Sequence, residues 1–460
     1  LKDILTKAVD YGRSLGAEYI EVRAQNLFKT LLTTKDGIVE GAKEGTEMGA
    51  GIRALADGAW GFVSIGELEP KHLTDAVTEA VRLAKAAGLR VKKPVKLADV
   101  KAVEDRVVVS PRKNPQNVSM EEKIENTLTM DKTIFGYDKR VRSCTINYLD
   151  VTGVNIFVNS DGTCIEQDKL YVWSRILASA RQNSIYASAR EEIGSTSGYE
   201  VFDTETPEKI GTIVAKRVVE QLRAKTPKGG SFPAVIGPNV VGVFIHEAMG
   251  HLAEADLTLS GSVLFDKLGK QIASDLVTVY DDGTLEGAFG SFKYDDEGVR
   301  THKTPLIESG KLTGLMHDRE TAHKLDMIPT GNARAEDFRS EPIIRMRNTY
   351  LAAGDSSFEE LIEGIDFGYY LKSFRGGQAN LDGTFQVGIQ EAYEIVKGRV
   401  GEPVRSASIS GNTLETLHRV EAVGRDFELW PGRCGKGQTA FICDGGPHIL
   451  VGEVTIGGGA

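Results

Sequence analysis

Apolar residues in the first stretch of the chain fall at Leu5, Ala8, Val9 and Leu15, close to the helical repeat, and Gly16 follows as a stop. The pattern then changes to alternation. Residues 19–24, 27–33, 38–40, 51–55 and 60–65 read as strands, with Asp36-Gly37 and Asp57-Gly58 placed between them as hairpin turns. A helix is expected from about residue 71 to 87, ended by Gly88. Residues 1–90 thus predict an N-terminal helix–antiparallel sheet–helix domain.

Residues 91–118 break the pattern with Pro94, Pro111, Pro115 and charge on both sides, and read as a linker or extended crossover. Ser119-Met120-Glu121-Glu122 is a capping box that opens a helix to about residue 135. Strands follow over 140–199, turning at Ser160-Asp161-Gly162. Thr206-Pro207 then opens a helix to about residue 224. A central α+β segment over 119–226 ends at Thr226-Pro227-Lys228-Gly229-Gly230, the clearest boundary in the chain. The remainder, 227–460, is expected to be a β-rich C-terminal domain with turns at Asp282-Gly283, Glu308-Ser309-Gly310, Asp382-Gly383 and Lys397-Gly398, and one helix near 357–364. Gly457-Gly458-Gly459 reads as a tail, since no helix follows to hold a phosphate. The class is α+β, the last domain being mostly antiparallel β around one helix that Pro238 opens.

That helix carries the candidate chemistry. The run 235–252 is apolar but holds Pro238, His246, Glu247 and His251, so it reads as a buried helix rather than a membrane span. Imidazole is the commonest metal-ligating side chain, and a Glu beside the first His can take a proton from a metal-bound water. The familiar spacing is His-Glu-x-x-His; here there is one more residue. On a regular helix a step of five leaves the imidazoles roughly 140° apart, too far round to hold one ion. A π-bulge would bring them together, so the spacing predicts a distorted or terminated helix at Gly250. A catalytic zinc site needs a third protein ligand. The candidates are Glu254, Asp256, His317, His323, His418, Cys434, Cys443 and His448. Glu254 reads as a group behind the ligands or in solvent, and Cys443 as strand core. Cys434 sits in a glycine-flanked loop beside Arg433 and Lys436, cations that favour the thiolate. The soft sulfur favours zinc over iron or manganese.

Composition narrows the partners. Lys+Arg 55 against Asp+Glu 65 gives a net charge of −10, which argues against a general nucleic-acid or anionic-membrane binder. The 4 Cys include no Cys-x-x-Cys pair, and a reducing cytoplasm fits them best. The first residues lack the basic-then-apolar pattern of a signal peptide.

His246-Glu247-Ala248-Met249-Gly250-His251 with Glu254, Thr330-Gly331-Asn332-Ala333-Arg334, Arg345-x-x-Asn348-Thr349-Tyr350 and Gly432-Arg433-Cys434-Gly435-Lys436 occur in that order. Together they resemble the TldD/PmbA (TldD/TldE) metalloproteases, once called modulators of DNA gyrase, and specifically the motif-bearing TldD-like member. The resemblance spans nearly the whole chain. It implies Zn²⁺ held by His246, His251 and Cys434, with Glu247 as catalytic base. It also implies a homodimer, or a heterodimer with a motif-less TldE/PmbA-like partner, whose enclosed cavity cleaves unfolded peptides or peptide-antibiotic precursors. An open strand edge beside the zinc would hold such a peptide by its backbone. Arg345, Arg347 and Asn348 are candidates to line the cleft, or else polar positions of an exposed strand. The competing class is a non-catalytic zinc-containing regulatory or binding protein, a modulator acting on a gyrase or on a toxin–antitoxin pair. Such a protein would have no need of Glu247.

Overall fold

The computed structural model describes residues 1–458. Its first helix, Lys2–Ser14, buries Leu5, Ala8, Val9 and Gly12. The alternating segments merge into two long strands, Tyr19–Lys35 and Ile38–Ala56. Asp36 (φ 51°) and Gly37 (φ 77°) join them, both in the left-handed region that a tight primed hairpin turn demands. Asp57 (φ 51°) and Gly58 (φ 71°) repeat the device before the strand Ala59–Ile65. The second long strand reads as two short ones in the sequence because its middle, from Ala42 to Met48, is largely exposed on both faces and shows no alternation, although it pairs in register with Leu32 to Asn26.

Tyr19–Lys35 pairs on its other side with Val141–Asn159, so the N-terminal unit and the central segment share one seven-stranded sheet. The stretch 91–118 is an extended crossover containing a short strand, Glu104–Val107, that pairs in parallel with Cys164–Gln182. The helices Met120–Tyr137 and Pro207–Gln221 start at Ser119 and Thr206, whose hydroxyls accept from the backbone N–H of Glu122 and Lys209. Together they cover one face of the sheet around Met130, Ile134, Ile210, Val214 and Val218.

The C-terminal part holds two large sheets and a two-stranded one, Ala333–Arg334 with Ile343–Ile344. In one, Phe367–Ala379, Gly230–Ile236, Ile449–Gly458, Ala407–Asn412 and Thr384–Val396 pair in that order, and the last also pairs with the first, closing a ring. Gly457 and Gly458 are therefore part of a strand rather than a tail; Gly459 lies outside the described residues. The second sheet has six strands and ends at Glu428–Gly435, whose strand partner is Thr439–Gly446. The expected helix near 357 spans Phe358–Glu363, with Ser357 and Glu360 completing a capping box.

Between the ring and the six-stranded sheet lies the helix Pro238–Ile245, touching Phe367–Ala379 and Thr384–Val396 on one side and Thr439–Gly446 on the other. Gly237 is its N-cap and Pro238 its first residue, where the missing N–H has no cost. A helix that is apolar all round must be enclosed all round, and every one of its residues is buried, Phe244 stacking edge-on against Phe385 at 4.9 Å. No helix among the described residues is long and apolar enough to cross a membrane.

The N-terminal layer depends on a close approach at Gly61, where an added Cβ would lie 2.1 Å from the Ala80 carbonyl oxygen and 2.5 Å from the Ala84 nitrogen of the helix Pro70–Gly88. Backbone atoms cannot rotate out of the way. Gly61→Ala should therefore destabilise the protein by about 3 kcal/mol, read by chemical denaturation.

Candidate metal centre

The helix changes character where the chemistry begins. The α-helical turns end at Ile245, His246–Gly250 form a π turn, and His251–Ala253 a 3₁₀ turn. An i→i+5 turn stacks the sixth residue over the first, and the rings of His246 and His251 accordingly come to 5.1 Å between centroids. The distortion expected from the spacing is present. Its glycine serves a different purpose from the one expected. Gly250 has an ordinary right-handed φ of −57°, but a Cβ there would lie 2.0 Å from Met346 Sδ. Close approach, rather than backbone freedom, requires glycine.

Cys434 arrives from the edge strand Glu428–Gly435, its Sγ 3.3 Å from His251 Nε2. The ligand atoms of His246, His251 and Cys434 all lie within 4.8 Å of one another. Two imidazoles and a sulfur are a donor set that zinc accepts. His246 Nδ1 is buried and has no hydrogen-bond partner among the described residues, a costly state for a nitrogen that has no further role. The site thus fits a metal. Burial alone would push the Cys434 thiol up, but the neighbouring imidazoles outweigh it and hold the thiol at about 4, as the thiolate that binds metal. Burial likewise opposes charge on His251, and the sulfur and the Glu254 carboxylate overcome it, raising that imidazole to about 10.

Glu254 stands behind the ligands. It is fully buried, with Oε2 3.0 Å from His251 Nδ1, which turns Nε2 toward the sulfur. Lys436 Nζ lies 3.2 Å from the same Oε2 and 2.7 Å from Asp256 Oδ2, and donates to the Ile344 carbonyl at 3.1 Å. Arg345 donates from Nη2 to the Cys434 carbonyl at 2.8 Å. The ligand helix and the cysteine strand are thereby locked to one another from the protein side.

On the other side opens a groove of about 390 Å³ in which Glu247 lies beside the three ligands. Its walls come from Arg175, Arg190 and Glu192 of the central segment, from Gly376 and Gly377, and from Trp430 to Gly435. Asp444 also faces it, its carboxyl pushed up to about 7 by burial. These wall residues carry no local motif and come from strands far apart in sequence. Only the turn to Gly432-Arg433 beside Cys434 could have suggested any of them.

Arg345, Arg347 and Asn348, expected to line the cleft or an exposed strand, do neither: all three are buried and none borders this groove. Arg347 is fully enclosed because Asp281 pairs with its Nε at 2.7 Å, while Thr330 O accepts from Nη1 and Thr304 Oγ1 and the Asp281 carbonyl from Nη2, each at 2.9 Å. Asn348 donates to Ser291 Oγ at 2.8 Å and accepts from Gly290 N at 3.0 Å. Arg345 supports the cysteine strand and borders a second cavity of about 260 Å³, which shares Arg433 with the groove. The other ligand candidates stand apart. Asp256 holds Lys436. His317 is buried, its imidazole pushed down to about 4 by burial. Cys443 is strand core, as expected, with burial raising its thiol to about 12. His448 sits between Asp426 and Tyr370. None of these joins the cluster.

Residues 229–458 match the model of the PmbA/TldA metallopeptidase C-terminal domain, 113–225 the central domain and 20–87 domain 1. A protein named metalloprotease from Methanothermobacter thermautotrophicus is 40% identical over 444 residues, covering 96% of each chain. The zinc metalloprotease TldD homolog of Saccharolobus solfataricus is 33% identical over 457 residues, 98% of this chain and 99% of that one. The crystal structure of TldE from Thermococcus kodakarensis superposes with a TM-score of 0.78 at 21% identity, over 99% of this chain and 100% of the other, a likeness of fold.

Two outcomes follow from the geometry. Arg347→Met leaves Asp281 buried without its cation and should destabilise the protein by about 3–5 kcal/mol, seen in denaturation; a substrate contact would instead leave stability unchanged. Glu254→Gln should lower metal affinity about 10–100-fold by loosening the orientation of His251, measured by competition with a chelator.

Proposed function

This chain belongs to the PmbA/TldD metallopeptidase family, and on that premise we propose that it is a zinc-dependent peptidase acting on unfolded or extended peptides. The observation that carries the reading is the gathering of three ligand atoms within 4.8 Å at the side of a groove that Glu247 also lines. His246, His251 and Cys434 would hold the metal, which when bound supplies Lewis acidity toward a peptide carbonyl and toward water. Glu247 then accepts the proton of the attacking water and returns it to the leaving amine.

The cysteine strand is the terminal strand of its sheet and contributes Trp430 to Gly435 to the groove wall. Its outer edge offers backbone N–H and C=O groups to an extended peptide, which reads no sequence but requires the chain to be unfolded. A second copy of this chain, or a motif-less partner of the TldE type, would enclose the groove and admit only such chains. A non-catalytic zinc protein would have no use for a carboxylate placed in the open groove beside the ligands.

The test is metal content together with cleavage of an unstructured peptide. Wild type and Glu247→Gln should both bind zinc, one ion per chain, and cleavage should fall by about 10²–10⁴-fold in the variant. Cleavage retained by Glu247→Gln removes it as the base; zinc in both proteins with cleavage by neither supports the binding-protein reading.

A further inference from the structure

The groove that holds Glu247 is also lined by arginines. Arg175, Arg190 and Arg433 all line it. Arg175 Nε at 2.9 Å and Arg190 Nη2 at 3.8 Å approach the same oxygen, Oε1 of Glu192. Arg433 forms no hydrogen bond or ion pair through its side chain among the described residues. Its guanidinium rests instead over aromatic faces, 5.0 Å from the Trp173 ring centre and 5.7 Å from that of Phe441. Arg175 lies over the same Trp173 ring at 5.6 Å, and Arg190 over Phe374 at 4.3 Å. Stacking fixes the plane of a guanidinium without consuming its N–H donors.

The carboxylates of the groove do not neutralise this wall. Glu191 is engaged by Arg217 at 2.9 Å. Glu192 is shared by Arg175 and Arg190 and also accepts from Trp173 Nε1 at 3.1 Å. Glu247 is reserved for the chemistry. Glu192 and Glu336 act on Arg433 through space, but neither is bonded to its exposed guanidinium. A planar fork of donors with no bonded carboxylate, at the edge of the groove, suits a carboxylate ligand.

We infer that Arg433, backed by Arg175 and Arg190, forms a subsite for a carboxylate of the bound peptide, supplied by an acidic side chain or by the free C-terminus. The inference rests on the peptidase reading and adds a substrate preference to it: cleavage close to a negative charge, set by the residue next to the cysteine ligand.

The experiment measures binding, so that it does not depend on turnover. Full-length Glu247→Gln protein loaded with zinc is titrated with fluorescent unstructured peptides in matched pairs. One series exchanges Asp for Asn at single positions; the other compares a free with an amidated C-terminus. One series should show at least about fivefold tighter binding of the charged member, and the series that does so identifies the source of the carboxylate. The difference should shrink as salt is raised, vanish when Arg433→Gln is added, and return in part with Arg433→Lys, which restores charge without the fork. Equal affinity in both series, a difference that survives Arg433→Gln, or no binding of any peptide overturns the subsite. Cleavage of the same peptides by wild type without discrimination would leave the peptidase reading standing while removing the subsite. Discrimination in binding with no cleavage by wild type would do the reverse.

Discussion

The C-terminal half of the molecule is organised by one meeting, that of Cys434 Sγ with His251 Nε2, 3.3 Å apart in space and 183 positions apart in sequence. The two imidazoles need only a π turn to face one another. The sulfur has to be delivered by a different element, and a few tenths of an ångström decide whether three donors can share an ion. Polar groups behind the site fix both ligands. Glu254 holds His251 and Lys436, and Arg345 holds the backbone of Cys434. Each of these groups is buried or nearly so, and each would be left with an unpaired charge if its neighbour moved.

The support extends a layer deeper. Asp281 accepts from Arg347 N at 2.8 Å, Arg347 Nε at 2.7 Å, Asn332 Nδ2 at 2.8 Å and Thr349 Oγ1 at 2.9 Å, so both its oxygens are fully used. That carboxylate fixes the strand Asn348–Leu351. Thr439–Gly446 pairs in parallel with this strand, and the cysteine strand pairs with Thr439–Gly446. A buried ion pair is weak evidence for stability in itself. Here its geometric effect is plain: the register of three strands is set from one fully satisfied carboxylate, and the position of Cys434 follows from that register.

Legibility in the sequence followed the range of the interaction. The two left-handed turns at Asp36-Gly37 and Asp57-Gly58, the caps at Ser119 and Thr206, and the distortion of the helix between the two histidines are local events, and local residues announced them. The union of the N-terminal unit with the central segment was hidden, because the pairing of Tyr19–Lys35 with Val141–Asn159 leaves no mark in either stretch alone. So was the full length of Ile38–Ala56, whose exposed middle has no face to bury. Within the site, His246, Glu247 and His251 could be read from spacing, and Cys434 from its cation-flanked loop with the help of a family resemblance. Arg345, Arg347 and Asn348 misled for a physical reason. A cluster of polar residues in a strand looks exposed or functional, and only tertiary structure shows that each has been supplied with a buried partner.

The two sides of the groove suit different parts of a substrate. Where it passes Glu247 the opposite strand carries Gly376 and Gly377, and a Cβ at Gly377 would come to 2.9 Å from Val243 Cγ1 and 3.4 Å from Glu247 Cγ. The cysteine strand likewise offers Gly432 two residues before Cys434. Gly377 thus packs closely against the ligand helix, whereas Gly376 faces open space and leaves room in the groove for the main chain of a bound peptide. The wall also carries Arg175, Arg190 and Trp430, bulky side chains with charge and donors to offer. Backbone and side-chain recognition could coexist there, because the strand edge would serve the first while arginines of the cysteine strand and of the central segment serve the second. On the proposed peptidase reading a folded chain would fail the first condition, since its backbone groups are already paired. An unfolded one would pass it, and the proposed arginine subsite would then sort it by charge.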